Sequence, residues 1–281
     1  MRPSRHICPV CGRIAAPRLN FSEFTVAACP GCHHEFTTDL KPGLGEAYDP
    51  QYFRKAHANW FANPDIGLFD ELAGVIARHA GKEASVIDVG CGNGAFLNHL
   101  RQNDFSNLTG LDIFPQDLPE PIRYLQTPIE DYSGEETFDA VISLANIEHL
   151  ADPRDAMIRL ARLLAPKGLL AVYTVANESL LYRAAKVLAD AGVTFAARRL
   201  YDPHHLNHFS VSSLARTAAT AGLVPVRTTR RDIPQNAVDL PASPLRPLVG
   251  LAVSAISAAS KAMGGQMLQL ALFTNVAGSG I

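Results

Sequence analysis

The chain lacks an excess of basic charge, a secretory signal and any long apolar run, and each absence removes a class of function. A formal net charge of -2 over 281 residues, with no basic run, gives no general electrostatic pull toward nucleic acid. The N-terminal residues Met1 to Ile14 carry Arg2 and Arg5 but no apolar signal core, so a cytoplasmic protein is expected. Pro247 to Ser260 is uncharged but too short to span a membrane. The uncharged tail after Lys261 is broken by Gly264, Gly265, Gln266, Gln269 and Asn275, and its alternation suits a strand. What remains is 47% apolar and 19% charged, enough for a sizeable core and for two unequal domains.

Cysteine is scarce, yet four of the five cysteines form two pairs, Cys8-Pro-Val-Cys11 and Cys29-Pro-Gly-Cys32, with 17 residues between them. Each CxxC turn, freed by Gly12 or Gly31, lets two thiolates face one tetrahedral ion. Two disulfides would suit a secreted chain, and no signal is present. With four cysteine ligands the shell is closed, so the implied zinc is structural, and His33 and His34 are left out of it. This predicts a ribbon over 1–42. The segment 43–64, with Tyr48, Tyr52, Phe53, Trp60 and Phe61, reads as a connector that packs on the next domain or covers its cleft. A larger domain over 65–281 follows.

After an amphipathic helix over Asp65 to His79 comes Val86-Ile-Asp-Val-Gly-Cys-Gly-Asn-Gly-Ala. The spacing predicts a buried strand, a glycine turn over Gly90 to Gly94 and a helix beginning at Ala95. Glycines there let a nucleoside-bearing ligand meet backbone amides at a helix N-terminus. The turn alone fits both adenosylmethionine and NAD. Asp88, two residues before the first glycine, would repel a pyrophosphate but suits the ammonium of adenosylmethionine. Asn107-Leu-Thr-Gly-Leu-Asp-Ile reads as the second strand, with Asp112 at its end placed to accept ribose hydroxyls or to cap the loop. Only nine residues, three of them proline, separate Asp112 from Ile122, too few for a helical crossover.

Val86-Ile-Asp-Val-Gly-Cys-Gly-Asn-Gly, Gly110-Leu-Asp-Ile, Phe138-Asp-Ala-Val-Ile-Ser-Leu-Ala-Asn-Ile-Glu-His-Leu-Ala-Asp-Pro and Leu163-Leu-Ala-Pro-Lys-Gly-Leu-Leu-Ala-Val occur in order. Together they resemble class I S-adenosylmethionine-dependent methyltransferases over about Asp65 to Thr229. The resemblance implies an α/β, Rossmann-like, doubly wound seven-stranded sheet with an antiparallel last strand. It places Asp88, Gly90, Gly92 and Asn93 along the methionine, Asp112 and Ile113 at the ribose, and Ile129 and Glu130 beside the adenine. Cys91 fills the turn as a small side chain, and Leu144 and Ala145 border methionine and acceptor. Pro128 stands where many relatives have an acidic residue.

His149 is the candidate general base at neutral pH, with Glu148 beside it, as in similar small-molecule methyltransferases. The alternative is that Glu148 caps a helix and His149 packs structurally. His204, His205 and His208 are expected at the acceptor pocket, with His208 the first choice among them. A second metal site there lacks a completing carboxylate beyond Asp202. Leu248, Leu251, Ala252, Ala255, Ala259 and Met263 predict an inserted amphipathic helix near 245–263 that packs against the sheet or covers the cleft, with a weak hold on a membrane or lipid-linked acceptor as the alternative that Lys261 and Arg246 support little. The expected activity is methyl transfer to a small-molecule acceptor, for example a sugar or a secondary-metabolite intermediate. Methylation of an rRNA base and a non-catalytic zinc-containing binding protein are the alternatives.

Overall fold

The structure, a computed structural model, describes residues 6–42, 59, 62–234 and 246–275. Most of the aromatic connector lies outside the described residues, and so do the side chains of residues 246–249, 252 and 253.

Two sheets organise the chain. The first is built from β1 (His6–Ile7), β2 (Ile14–Asn20), β3 (Thr25–Ala28) and β4 (Glu35–Thr38). The second begins after α1 (Ile66–Ala80), whose N-cap Asp65 accepts the Leu68 amide and whose buried Leu68, Phe69, Leu72, Ala73 and Ile76 form one face. Then come β5 (Val86–Val89), α2 (Ala95–Gln102), β6 (Leu108–Asp112) and β7 (Arg123–Gln126), with no helix between β6 and β7, as the short proline-rich spacing requires. Next are β8 (Phe138–Leu144), a 3-10 turn at Ile147–His149, α3 (Pro153–Arg162) and β9 (Leu164–Val175). The remainder is α4 (Leu180–Asp190), α5 (Phe195–Leu200), β10 (Asn207–His208), α6 (Val211–Thr220), β11 (Leu223–Arg231), α7 (Arg246–Met263) and β12 (Leu268–Asn275).

The larger sheet runs β11-β12-β9-β8-β5-β6-β7; the five strands from β9 to β7 are parallel, and β12 enters antiparallel to both neighbours. This is the doubly wound sheet expected. All four residues of β5 are buried, as a central parallel strand covered on both faces demands, although one of them is Asp88.

The N-terminal unit is not free-standing. Its sheet takes β10 as a fifth strand, pairing Asn207 with Phe36 and His208 with Glu35. Around this seam His34 Nε2 donates to Asn207 Oδ1 at 3.1 Å, while Asn177 Nδ2 donates to the carbonyls of His33 and His208, each at 2.9 Å. Buried Glu35 binds Lys186 at 2.9 Å and accepts the Tyr201 hydroxyl. Bidentate pairs Arg18–Asp190 and Arg198–Glu23 close the rim. One apolar core runs from Cys8, Val10 and Phe36 through Phe209 to Leu214 and Phe273.

α7 occupies the expected residues, but its packed face differs from the apolar stripe. Leu251 and Met263 are 69% and 65% exposed, and Ala255 is exposed too. The inward positions are Ser257, which donates to Asp232 at 2.8 Å, and Ser260, whose carbonyl accepts the Gly265 amide. The Ser257 hydroxyl bonded to Asp232 places a polar face inward where the periodicity marks an apolar one. Among the described residues no helix is long and apolar enough to cross a membrane.

The seam predicts its own weak point. Glu35→Ala leaves Lys186 and Tyr201 facing a void and should lower the unfolding free energy by roughly 3 kcal/mol, with Glu35→Gln losing less. Urea unfolding of the full chain measures this, and a loss below about 1 kcal/mol would show that this contact carries little of the fold's stability.

Candidate active site

At the carboxyl ends of β5 and β6 the backbone bends through Gly90, Gly92 and Gly94, with φ of 76°, 55° and 72°. A Cβ at Gly90 would lie 2.4 Å from Asn146 Cγ, and one at Gly94 would lie 2.6 Å from Leu118 Cδ2. The bend therefore requires glycine for conformation and for close approach alike. Cys91 is buried inside it and faces Gly110, as a small filler should.

Asp112 accepts the Gly92 amide at 2.9 Å through Oδ2 and the Phe114 amide at 3.1 Å through Oδ1. Burial pushes its carboxyl above the ordinary value, and the amide hydrogen bonds partly offset this. Asp88, one strand over, is 2% exposed, and among the described residues its Oδ1 has no hydrogen-bond partner. Burial first, and the charge of Asp112 second, push Asp88 up to about 8. Two carboxylates in one dry bend, one lacking a donor, form a receptor for a cationic group and a poor one for a diphosphate.

The flanks of this bend carry the other expected cofactor residues. Ile113 is 39% exposed beside Asp112, and Asn93 accepts the Ala95 amide at the start of α2. Ile129 is buried, Glu130 is exposed, and Leu144 is half-buried at the end of β8. Ala145 follows with φ of 49°, a left-handed backbone that is uncommon outside glycine and marks a constrained turn where the cleft begins.

The next turn carries Glu148 and His149. Glu148 is 2% exposed and accepts the Thr174 hydroxyl from the end of β9 at 2.8 Å. Burial lifts its carboxyl to about 7 against the pull of its backbone and Thr174 hydrogen bonds. His149 Nδ1 lies 2.9 Å from the His204 carbonyl, which can only accept, so Nδ1 carries the proton and the lone pair is on Nε2. The His149 and His205 rings meet edge to face with centroids 4.7 Å apart. Asp202 binds both the backbone amide and Nδ1 of His204, each at 2.9 Å, which fixes the loop carrying these rings.

His208 departs from expectation. It is fully buried, with Nδ1 3.3 Å from the Tyr182 hydroxyl and its ring 4.6 Å from that of Tyr201. Burial, with the neighbouring His34 adding to it, drives its pKa down to about 3. Pairing in β10 turns this side chain into the seam and away from the pocket rim, so it is a neutral packing group. His34, set aside at the sequence level, belongs to the same buried cluster. Its place beside the last cysteine of the second pair was the available signal.

In the N-terminal unit Cys8 Sγ lies 3.6 Å from Cys32 Sγ, and Cys11 Sγ lies 3.4 Å from Cys29 Sγ; no disulfide links them. All four sulfurs fall within 4.8 Å of one another. Tetrahedral zinc with bonds of about 2.3 Å needs sulfurs roughly 3.8 Å apart, which this cluster fits.

A family model described as a methyltransferase domain matches residues 66–228. Among curated relatives, a ubiquinone biosynthesis O-methyltransferase of Rickettsia bellii is 24% identical over 130 residues, covering 43% of this chain and 54% of the relative. One of the same name from Xanthomonas campestris is 32% identical over 163 residues, covering 53% and 66%. The chain thus spans about half the length of the first curated relatives it matches. Among solved structures, the 1,6-didemethyltoxoflavin-N1-methyltransferase of Burkholderia thailandensis shares the fold with a TM-score of 0.51. It is 14% identical, with 92% of this chain and 98% of that one covered.

The raised pKa of Asp88 fixes a pH dependence in the ligand-free chain. Its folded value near 8 lies above the ordinary 3.8, so its stabilising contribution is complete below about 4 and is lost as pH rises toward 8. Asp88→Asn should therefore be more stable than the parent, by a margin that widens between pH 5.5 and 8 in urea unfolding. A margin that stays level across that range would contradict the assignment.

Proposed function

The chain belongs to the methyltransferase-domain family, and on that footing we propose that it moves the methyl group of S-adenosylmethionine to a small-molecule acceptor. The observation that carries this reading is the acidic glycine bend. Asp88 offers a buried carboxylate to the cofactor's ammonium, and Asp112 has two oxygens to exchange from backbone amides to ribose hydroxyls. Ile113 stands with Asp112 at the ribose, Ile129 supplies an apolar flank for the adenine, and Glu130 lies beside it. Asn93, Leu144 and Ala145 complete the methionine side.

Bound there, S-adenosylmethionine supplies an electrophilic methyl group. The chain must then hold the acceptor in line and remove its proton. His149 is the side chain read as taking that proton, because its Nδ1 donates to the His204 carbonyl and the basic lone pair is then on Nε2. Glu148 behind it, held by Thr174, steadies the imidazolium that forms. His208 acts at a distance by packing the seam that orients the His204–His205 loop. The O-methyltransferase names of the relatives favour an oxygen acceptor.

The N-terminal unit is read as a structural zinc ribbon. Burial pushes the Cys8 thiol up to about 11 while, against burial, backbone and neighbouring-thiol hydrogen bonds bring Cys11 down to about 7, and the four clustered sulfurs gain from a cation that takes them as thiolates. The full chain should hold about one tightly bound zinc, and Cys29→Ser should lose it together with thermal stability, as read by metal analysis and melting.

Calorimetry with S-adenosylmethionine and with NADH tests the central claim. Saturable heat with the first and none with the second is expected, and the reverse would end this reading. Asp112→Ala should weaken cofactor binding at least about tenfold without unfolding the chain. His149→Ala should cut labelled methyl transfer into a metabolite extract by about a hundredfold, with cofactor affinity within about twofold of the parent.

A further inference from the structure

We propose that the second cysteine pair, Cys29 and Cys32, anchors the histidine loop, so that metal loading of the N-terminal unit governs transfer to the acceptor and not cofactor binding, with Thr37 as the positioning residue. This inference rests on the zinc and acceptor readings above and adds a control on the same cleft.

From Cys32 to Thr37 each of six consecutive residues engages the larger domain. The Ser210 and Ser212 hydroxyls, at the start of α6, both reach the Cys32 carbonyl at 3.4 Å. Asn177, beyond the end of β9, donates to the His33 carbonyl, and the His34 ring meets Asn207. Glu35 holds Lys186 and Tyr201, and Phe36 pairs with Asn207. Thr37 ends the run with two bonds to the loop itself. Its amide donates to the Leu206 carbonyl and its hydroxyl to the His205 carbonyl, each at 3.0 Å. Within the run no residue is left unattached to absorb a shift of Cys32, so such a shift arrives at His205 and Leu206.

The turn that closes on the two ligands supplies the two states that coupling requires. The His33 amide donates to the Cys29 carbonyl at 3.0 Å and the Cys29 amide to the His34 carbonyl at 2.9 Å, which curls the chain with His33 at φ of 58°. A left-handed backbone is unfavourable for a residue with a Cβ and persists only where its surroundings over-determine it. Zinc on Cys29 and Cys32 is such a constraint, and its loss lets His33 return to a more common backbone. The glycine bend is held from within instead, by the Gly90 amide on the Leu111 carbonyl at 2.8 Å and the Gly92 amide on Asp112 at 2.9 Å. Cofactor affinity is therefore insulated from the change.

Hydrogen exchange read by mass spectrometry tests this on the full zinc-loaded chain and after chelation. Chelation should speed exchange over residues 202–208 at least about tenfold and leave residues 86–92 within about twofold, with S-adenosylmethionine affinity by calorimetry equally unmoved. Thr37→Val keeps all four cysteines and removes only the hydroxyl. It should speed exchange over 202–208 and lower labelled methyl transfer into a metabolite extract about tenfold per cofactor site, at unchanged zinc content, and Thr37→Ser should restore both. Exchange over 202–208 that does not respond to Thr37→Val overturns the proposal, and so does a chelated, folded chain whose loop is as protected as the parent's. Where chelation unfolds the chain, Thr37→Val decides alone. A parent chain that binds no S-adenosylmethionine, or no zinc, ends the corresponding reading, and the exchange pattern of Thr37→Val still reports whether the anchor exists.

Discussion

The pairing of two residues of β4 with two of β10 is the contact on which the arrangement of the cleft depends. Glu35 and Phe36 meet His208 and Asn207, and this short ladder joins the cysteine-rich sheet to the loop that carries the histidines. A two-residue ladder is weak by itself. It holds because buried side chains reinforce it: Asn207 bridges His34 and the Leu150 carbonyl, and Glu35 is enclosed by Lys186 and Tyr201. Leu150 follows the Glu148–His149 turn directly, so one asparagine ties the N-terminal unit, the histidine loop and that turn together. A small unit with little core of its own thereby becomes a wall of the larger domain.

The other end of the cleft follows a different logic. Asp112 is satisfied by backbone amides, while among the described residues Asp88 Oδ1 has no donor. The cost of burying two acids so close together is met by protonation, which is why Asp88 holds its proton up to about pH 8. Membership of the methyltransferase-domain family accords with that asymmetry.

Features encoded over short stretches were legible in the sequence. The apolar run into Asp88, the three spaced glycines and both CxxC pairs each fix local geometry within a few residues, and the structure places them where the spacing predicted. The missing crossover helix was readable for the same reason, since nine proline-rich residues cannot form one. Contacts between distant segments were not legible. His34 and Asn207 are 173 residues apart, and nothing in a His-rich loop distinguishes a ring at the pocket from one buried in a seam. His208 was misplaced on that account. The packed face of α7 was not legible because periodicity registers apolar side chains, whereas Ser257 turns toward the loop to donate to Asp232.

Where a crossover helix would ordinarily roof the β6–β7 flank, a proline-rich loop does so, plugged by Leu118 against Gly94 and Gly110. One methyl-bearing side chain makes a smaller hinge than a helix docked along several turns. Lifting it exposes little apolar area, so this flank can open at far lower free energy than the sheet beneath it. This flank is thus secured by one leucine and a few loop contacts, such as the Tyr124 hydroxyl on the Phe114 carbonyl, whereas the sheet beneath is locked by whole strands.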